Sequence, residues 1–521
     1  TIRKEGGLSG FTNREESDCD TFTTGHSSTS ISSALGLATA NSINHKNDYT
    51  VAIIGDGALT GGLAFEAINN IGRKKKNLIV ILNDNNMSIS KNVGSLARHL
   101  NILRLSFSYI EVKNSVEFLL KKIPLVGNAL AIFLRKLKTL IKRIFYNTSI
   151  FECMGVQYYG PYDGHNIELL TKVLNKAKKI NKPVLIHVKT TKGKGYEYAE
   201  DKPKDFHGVS SFDPNTGKGE LSRNSFSSVF GNCITNLATN NDKICAITAA
   251  MSSGTGLNLF AKTHKERFFD VGIAEAHAVT FSAGLSRKGM IPIFAVYSTF
   301  LSRAYSSLIH DVSLQNLKVI LAIDRAGLVG DDGKTHQGVF DVSFLKTVPN
   351  ARVYSPSYFD ELDFTLQKLV ESDCELCAVR YPRGHEGYKP KEFVFSDKDY
   401  DVFGDKNAKV SVVTYGREFS VVATAVKKID FPVKIIKLNR IIPIPCKAIE
   451  EVISSEKLLI AEEASCGIAS DFVSKAYEIG FKGKFVINDI KNAFVSHASF
   501  EKQLEQCELD EESIINTIKN L

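Results

Sequence analysis

Val51-Ala52-Ile53-Ile54-Gly55-Asp56-Gly57 and Leu78-Ile79-Val80-Ile81-Leu82-Asn83-Asp84-Asn85-Asn86-Met87 decide the fold. Each opens with an apolar run of the length and character of a buried parallel strand. Each ends in a hard oxygen donor, Asp56 in one and Asn85 in the other, with 28 residues between them. The stretch from Ala58 to Gly72, rich in Gly and Ala, is long enough for one crossover helix. The spacing predicts a βαβ unit, and open α/β sheets bind ligands outside the carboxyl ends of their strands. A carboxylate, an amide oxygen and a few backbone or phosphate oxygens suit Mg²⁺. Gly55 and Gly57 let the backbone come close to a bulky anion. Taken one at a time, Gly-Asp-Gly and an Asn-rich segment after a strand are also ordinary turns. Thr60 stands where a dinucleotide fingerprint needs its third glycine, so that motif is excluded.

The alternation continues along the chain. Val184-Leu185-Ile186-His187-Val188, Val319-Ile320-Leu321-Ala322-Ile323, Val410 to Val413 and Leu458-Leu459-Ile460 are strand-like runs between helical stretches. This is the α/β pattern with mainly parallel sheets. His207 to Ser228 and Tyr388 to Asp405 read as linkers, giving three domains at 1–215, 225–395 and 400–521. The 521 residues, 43% hydrophobic and 23% charged, have a globular multidomain composition. The net charge of +8 is local, because Lys113 to Asn147 sets eight Lys and Arg against Glu117. The rest is close to neutral, which excludes a general nucleic-acid surface. The basic segment reads as one or two amphipathic helices, over the core or against a membrane surface. No stretch reaches the roughly 18 apolar residues of a membrane-spanning helix, and no secretory signal opens the sequence. Nine scattered cysteines include one C-x-x-C, Cys374 and Cys377, with no second pair for zinc. Buried thiols in a reducing compartment are expected.

The middle domain carries most of the titratable groups. Glu275, in Val271-Gly272-Ile273-Ala274-Glu275-Ala276, either complements a helix N-terminus or is a desolvated carboxyl able to share a proton with a heterocycle nitrogen. Tyr297 and Phe300 are core residues or a platform for a planar ring. Asp324 to Gly338 packs Arg325, Asp331, Asp332, Lys334 and His336 into a glycine-rich loop after an apolar strand. Such density points to function. Arg380-Tyr381-Pro382-Arg383-Gly384 ends another strand. Arginine forks at two strand ends suit a phosphorylated substrate, and each arginine alone also suits a surface ion pair.

The pairing of Gly-Asp-Gly with a later Asn is similar to that of thiamine diphosphate enzymes. With Thr1-Ile2-Arg3, Gly6-Gly7-Leu8, Gly25-His26-Ser27-Ser28-Thr29-Ser30, Gly160-Pro161-Tyr162-Asp163-Gly164-His165 and Lys192-Gly193-Lys194-Gly195-Tyr196, nearly the whole chain resembles the 1-deoxy-D-xylulose-5-phosphate synthase family. That family has a transketolase-like, thiamine diphosphate-binding α/β fold. The resemblance implies that Asp56, Asn85 and the Met87 carbonyl hold Mg²⁺ on the cofactor's diphosphate, beside Gly55, Gly57 and Ala58. Glu275 then pairs with the aminopyrimidine, Phe300 stacks on it, and His26 lies beside the cofactor. Tyr297, Arg325 and Arg383 hold the phosphate of glyceraldehyde 3-phosphate. His207, Asp332 and His336 line the reacting centre.

The implied reaction joins pyruvate to that aldehyde with loss of CO₂, the first step of the non-mevalonate isoprenoid pathway and a supply for thiamine. A homodimer is implied, in a bacterial cytoplasm or a plastid-type organelle, without nucleic acid or stable membrane insertion. The family carries further residues before Thr1, with histidine-containing segments, so an N-terminally incomplete first domain is expected. Ala276 and Ala249 stand where the family usually has Gln and Pro, and Glu462-Glu463-Ala464-Ser465-Cys466-Gly467 lacks the usual glycine pair. The alternatives are a transketolase acting on ketose phosphates and a non-catalytic homologue or fragment that binds the cofactor.

Overall fold

The computed structural model describes residues 2–72, 77–85, 95, 99–100, 149–180, 182–203, 205–208, 212–219 and 224–521. Met87 and the basic segment Lys113 to Asn147 lie outside them. The chain forms two compact units. One holds residues 27–220 and 272–274; the other holds 1–26, 221–271 and 275–521.

In the first unit, β1 (Thr50–Gly55), β2 (Leu78–Asp84), β3 (Gln157–Asp163) and β4 (Val184–Lys189) form a parallel sheet in the order β1-β2-β4-β3. The central strands β2 and β4 are the continuous apolar runs expected of strands covered on both faces. β1 differs. It lies at the sheet edge, and Val51 and Ile53 are 48% and 66% exposed while Ala52 and Ile54 are buried. The predicted single crossover helix is two. A four-residue helix, Asp56–Leu59, precedes Gly62–Ile71, which buries Ala64, Ala67, Ile68 and Ile71 at helical spacing. The break falls at Gly61, where a Cβ would stand 2.3 Å from the Ser28 hydroxyl.

The linker-like stretch after His207 contains the hairpin β5 (Phe212–Asp213) and β6 (Lys218–Gly219). It runs into a helix, Phe226–Asn240, whose start is fixed by a Ser225–Ser228 capping box. Local side-chain capping therefore turns the end of the predicted linker into structure.

The second unit contains two larger sheets. β7 (Ile244–Thr248), β8 (Phe268–Asp270), β9 (Ile291–Tyr297), β10 (Val319–Asp324), β11 (Arg352–Tyr354) and β12 (Leu376–Arg380) pair in parallel. The remaining strands are β13 (Tyr400–Gly404), β14 (Val410–Tyr415), β15 (Val433–Leu438), β16 (Arg440–Ile442), β17 (Lys457–Glu462) and β18 (Lys484–Asp489). β16 joins the edge of the first of these sheets antiparallel to β11, giving the order β16-β11-β12-β10-β9-β7-β8. The other sheet runs β13-β15-β14-β17-β18, with only β13 antiparallel. One apolar cluster unites both sheets, from Phe294, Val296 and Leu321 to Val413, Ile436 and Ile460. Cys374 and Cys377, expected as thiols, are joined as a disulfide with Cα atoms 6.3 Å apart, within bridging reach.

Candidate cofactor and substrate site

Asp56 and Asn85 lie where the parallel-strand argument puts them. β1 and β2 are neighbours in register Gly55 to Asn83, so Asp56 and Asn85 follow the carboxyl ends of adjacent strands. Asp56 is 1% exposed at the start of its short helix, and Asn85 is half-buried. A Cβ added at Gly55 would meet no atom of the described residues beyond its chain neighbours within 4 Å. The Ser28 hydroxyl donates to the Ala58 carbonyl at 2.7 Å, tying Ala58 to the turn that precedes the helix Ser30–Ile43. Lys192 brings a positive charge that interacts with Asp56; burial lowers its pKa and the Asp56 carboxylate opposes that. Its ammonium donates to His207 Nδ1 at 2.7 Å. One carboxylate, one amide oxygen and a nearby ammonium fit a cation bound to a diphosphate. Among the described residues no group of three or more His, Cys, Asp or Glu side chains forms a metal cluster, so a cation here depends on amide, carbonyl and ligand oxygens.

In the second unit, Glu275 opens the helix Glu275–Arg287 and is 5% exposed. Burial raises its pKa; Arg303 opposes this, its Nη1 lying 3.7 Å from Glu275 Oε2. Burial and the Arg303 charge thus act on this carboxyl in opposite senses, with burial the larger. His26 sits edge-on to Phe300, with ring centroids 4.8 Å apart. His26 Nε2 lies 3.0 Å from the Thr335 carbonyl, which can only accept, so that nitrogen carries the hydrogen. It is also 3.0 Å from the Thr299 hydroxyl. Burial, then the Arg303 charge, keeps His26 below its ordinary pKa.

The loop after β10 gathers the remaining candidates. Its base is closed by reciprocal backbone bonds of 2.8 Å between Gly327 and Gly338. Gln503 accepts from Gly330 N at 2.8 Å and donates to Gly330 O at 3.0 Å, and Glu463 accepts from Leu328 N. At the centre Asp332 accepts from Arg325 at 3.0 Å, from Arg383 at 3.2 Å, and from Arg3. Burial works against ionisation of Asp332, but Arg325, Arg383, His336 and Arg3 outweigh it and hold the carboxyl below its usual range. Arg325 has φ of 59° and spreads its guanidinium over the Tyr297 ring, 4.0 Å from the centroid. His336 is pushed down to about 4, chiefly by burial and against the pull of Asp332, so its imidazole is neutral at physiological pH.

Sequence reasoning missed three partners. Arg3 reaches Asp332 across 329 positions, Phe11 stacks on His336 at 4.5 Å, and Thr335 holds His26. The first two had no local signal beyond lying in an N-terminal segment rich in glycine and turns. Arg380 is not a phosphate ligand: it is 3% exposed and makes a two-point pair with Asp341 at 2.9 and 3.3 Å. Only Arg383 of that segment joins the cluster. Asp56, Asn85 and His207 belong to the first unit, and the other described candidates from Glu275 to Arg383, with His26, to the second.

Residues 1–190 match the family model described as 1-deoxy-D-xylulose-5-phosphate synthase, and residues 223–387 that described as transketolase, pyrimidine binding domain. The chain is 44% identical over 529 residues to the 1-deoxy-D-xylulose-5-phosphate synthase of Clostridium tetani, covering 100% of this chain and 85% of the relative. It is 44% identical over 540 residues to the protein of the same name from Caldanaerobacter subterraneus subsp. tengcongensis, covering 99% and 84%. A solved split-gene transketolase, described as an inactive β4 tetramer, superposes with a TM-score of 0.51 at 23% identity over 57% of this chain and 97% of its own. The fold is therefore transketolase-like. By identity and coverage, the chain belongs to the 1-deoxy-D-xylulose-5-phosphate synthase family.

Proposed function

We propose that the chain condenses pyruvate with D-glyceraldehyde 3-phosphate, with loss of CO₂, to give 1-deoxy-D-xylulose 5-phosphate, using thiamine diphosphate and Mg²⁺. The observation that carries this reading is a buried, weakly acidic Glu275 in the same unit as the arginine cluster on Asp332. When bound, thiamine diphosphate supplies the electron sink that lets CO₂ leave pyruvate.

The protein's part follows from its own groups. Glu275, whose pKa burial raises against the pull of Arg303, is placed to share a proton with a ring nitrogen. Phe300, beside His26, offers a flat apolar face. Arg325 and Arg383 are pre-oriented by Asp332 and keep further donors for a phosphate dianion, with Tyr297 packed under Arg325. A neutral His336 is fit to exchange a proton with a carbonyl or hydroxyl at working pH. His207 is steered by Lys192 and is assigned to the same task. Asp56, Asn85 and the Met87 carbonyl would hold the cation on the diphosphate.

The relatives named for this synthase are bacterial, and no helix among the described residues is long and apolar enough to cross a membrane. A bacterial cytoplasmic homodimer feeding isoprenoid and thiamine synthesis is the corresponding cellular reading. A three-domain division at 1–215, 225–395 and 400–521 remains our reading of the chain: each of the three main sheets draws most of its strands from one segment, although β16 of the last joins the sheet of the middle one and residues 1–26 group with the second unit.

The test is direct. Purified protein with thiamine diphosphate, Mg²⁺, pyruvate and glyceraldehyde 3-phosphate is followed by CO₂ release and by NMR of the product. Aldehyde-dependent CO₂ release with formation of the deoxyketose phosphate is expected. Ketol transfer between sugar phosphates without consumption of pyruvate would instead make the chain a transketolase.

A further inference from the structure

The centre of the first unit's sheet contains a polar chain that the proposed chemistry leaves unused. His187, in the middle of β4, is 0% exposed. Its Nε2 lies 2.7 Å from Asp84 Oδ2, and its Nδ1 lies 2.7 Å from the Tyr158 hydroxyl on β3. The side chains of both His187 and Asp84 are wholly buried. With Nε2–H donating to the Asp84 carboxylate, Nδ1 accepts from the Tyr158 hydroxyl, so both ring nitrogens are satisfied.

A buried ion-pair-like contact is a poor way to gain stability. The desolvation of its members offsets much of what the pair returns, and apolar side chains of similar volume usually do as well. The rest of β4 is apolar apart from its last residue, so an apolar residue at 187 would suit the core. The position of Asp84 supplies a different reason. Asp84 is the last residue of β2 and immediately precedes Asn85. Side chains alternate along a strand: Asp84 is buried toward His187, while Asn83 and Asn85 are both half-buried on the alternate positions. Thr190, just past β4, completes the hold. Its backbone N–H donates to the Asp84 carbonyl at 3.0 Å, and its hydroxyl donates to Asn83 Oδ1 at 2.7 Å. Both residues before Asn85 are therefore pinned to the neighbouring strand.

We propose that Tyr158, His187 and Asp84 are positioning residues that fix Asn85 for a divalent cation carrying a diphosphate. This rests on the cofactor site proposed above. Ligand groups are held in place by partners behind them, and loss of such partners costs about 10- to 100-fold in metal affinity.

The test measures binding without turnover. Thiamine diphosphate is titrated calorimetrically into the full chain at stepped Mg²⁺ concentrations, for wild type and for His187→Leu, His187→Gln and Tyr158→Phe. The Leu variant should raise the Mg²⁺ concentration needed for half-maximal binding about 10- to 100-fold. The Gln variant, whose amide can still donate to Asp84, should recover most of that. kcat at saturating Mg²⁺ should stay within about threefold of wild type, because the reacting groups are untouched. Should the Leu variant not fold, Tyr158→Phe carries the test through a severalfold rise in the Mg²⁺ requirement, measured well below its unfolding midpoint. Wild-type-like Mg²⁺ dependence in the folded variants overturns the proposal alone. So does loss of binding in Leu and Gln alike, in step with lowered unfolding midpoints. Wild-type binding that ignores Mg²⁺ overturns the cofactor site itself and this proposal with it.

Discussion

Replacing Asp324 by Asn should remove a pH dependence of known sign, so that the variant gains stability relative to wild type as pH rises. Asp324 ends β10 with 0% exposure. Oδ2 accepts from the Ser227 hydroxyl at 2.7 Å, and Oδ1 is buried with no hydrogen-bond partner among the described residues. Burial, opposed by Arg325, the Ser227 bond and Arg383, lifts its pKa to about 6 from an ordinary 3.8. The folded protein thus holds this proton to higher pH than the unfolded chain. Stability drawn from the group is lost as pH rises through that window. Once both states are ionised the cost to the fold is about 3 kcal/mol. Asn keeps the shape and the acceptor for Ser227 but places an amide N–H₂ at the orphan position, which costs about 1–3 kcal/mol if it finds no acceptor. That part is the same at every pH. The pH-dependent part is not: between pH 4 and 7.5 the stability difference should move toward the variant by about 2.4 kcal/mol. Urea unfolding of both proteins is followed by far-ultraviolet circular dichroism at half-unit pH steps, since the chain has no Trp. A difference that stays flat across the range, or that moves toward wild type as pH rises, would refute the burial argument.

Glu275→Gln should lower kcat about a hundredfold to ten-thousandfold, the range for loss of a positioned proton-transfer group. Thiamine diphosphate affinity should stay within a few fold by calorimetry, and stability at pH 7 should not fall, because a carboxyl whose pKa is raised by burial is replaced by a neutral amide. Gly254→Ala would place a Cβ 1.7 Å from the Tyr297 hydroxyl. Steady-state kinetics should show KM for the aldehyde phosphate raised about tenfold, the equivalent of one lost hydrogen bond, with KM for pyruvate unchanged. His336 has the opposite sign to Asp324. Its folded pKa of about 4 lies below the ordinary 6.5, so the unfolded chain binds the extra proton and stability is lost as pH falls between those values. His336→Gln should remove this loss, so its thermal midpoint should gain on that of wild type as pH falls over that interval, and a difference that stays flat would show that His336 does not carry the dependence.

What could be read from the sequence was what short-range physics determines. Apolar runs bounded by glycines and turns gave β2, β4, β10, β14 and β17 nearly to their ends, because a strand buried on both faces leaves an unbroken mark. β16 left none. It is three residues long and exists because β11 offers an edge to pair with. β1 was legible as a strand but not as an edge, since exposure of Val51 and Ile53 depends on what lies beside them. The site divides the same way. That Asp56 and Asn85 come together was legible because one crossover's spacing places two parallel strand ends side by side. That Arg325, Asp332 and His336 gather was legible because one loop holds them all. Arg3 and Phe11 were not, because their partners lie more than 300 positions away and no periodicity links a turn-rich segment to a distant loop.

Arg380 and His187 show the limit most clearly. Both are polar residues at or inside apolar strands, and strand position alone gives them equal claim to a ligand. Arg380 instead closes on Asp341 inside the core. His187 closes on Asp84, and only the place of Asp84, next to Asn85, distinguishes a pair that merely fills the core from one that can aim a ligand group.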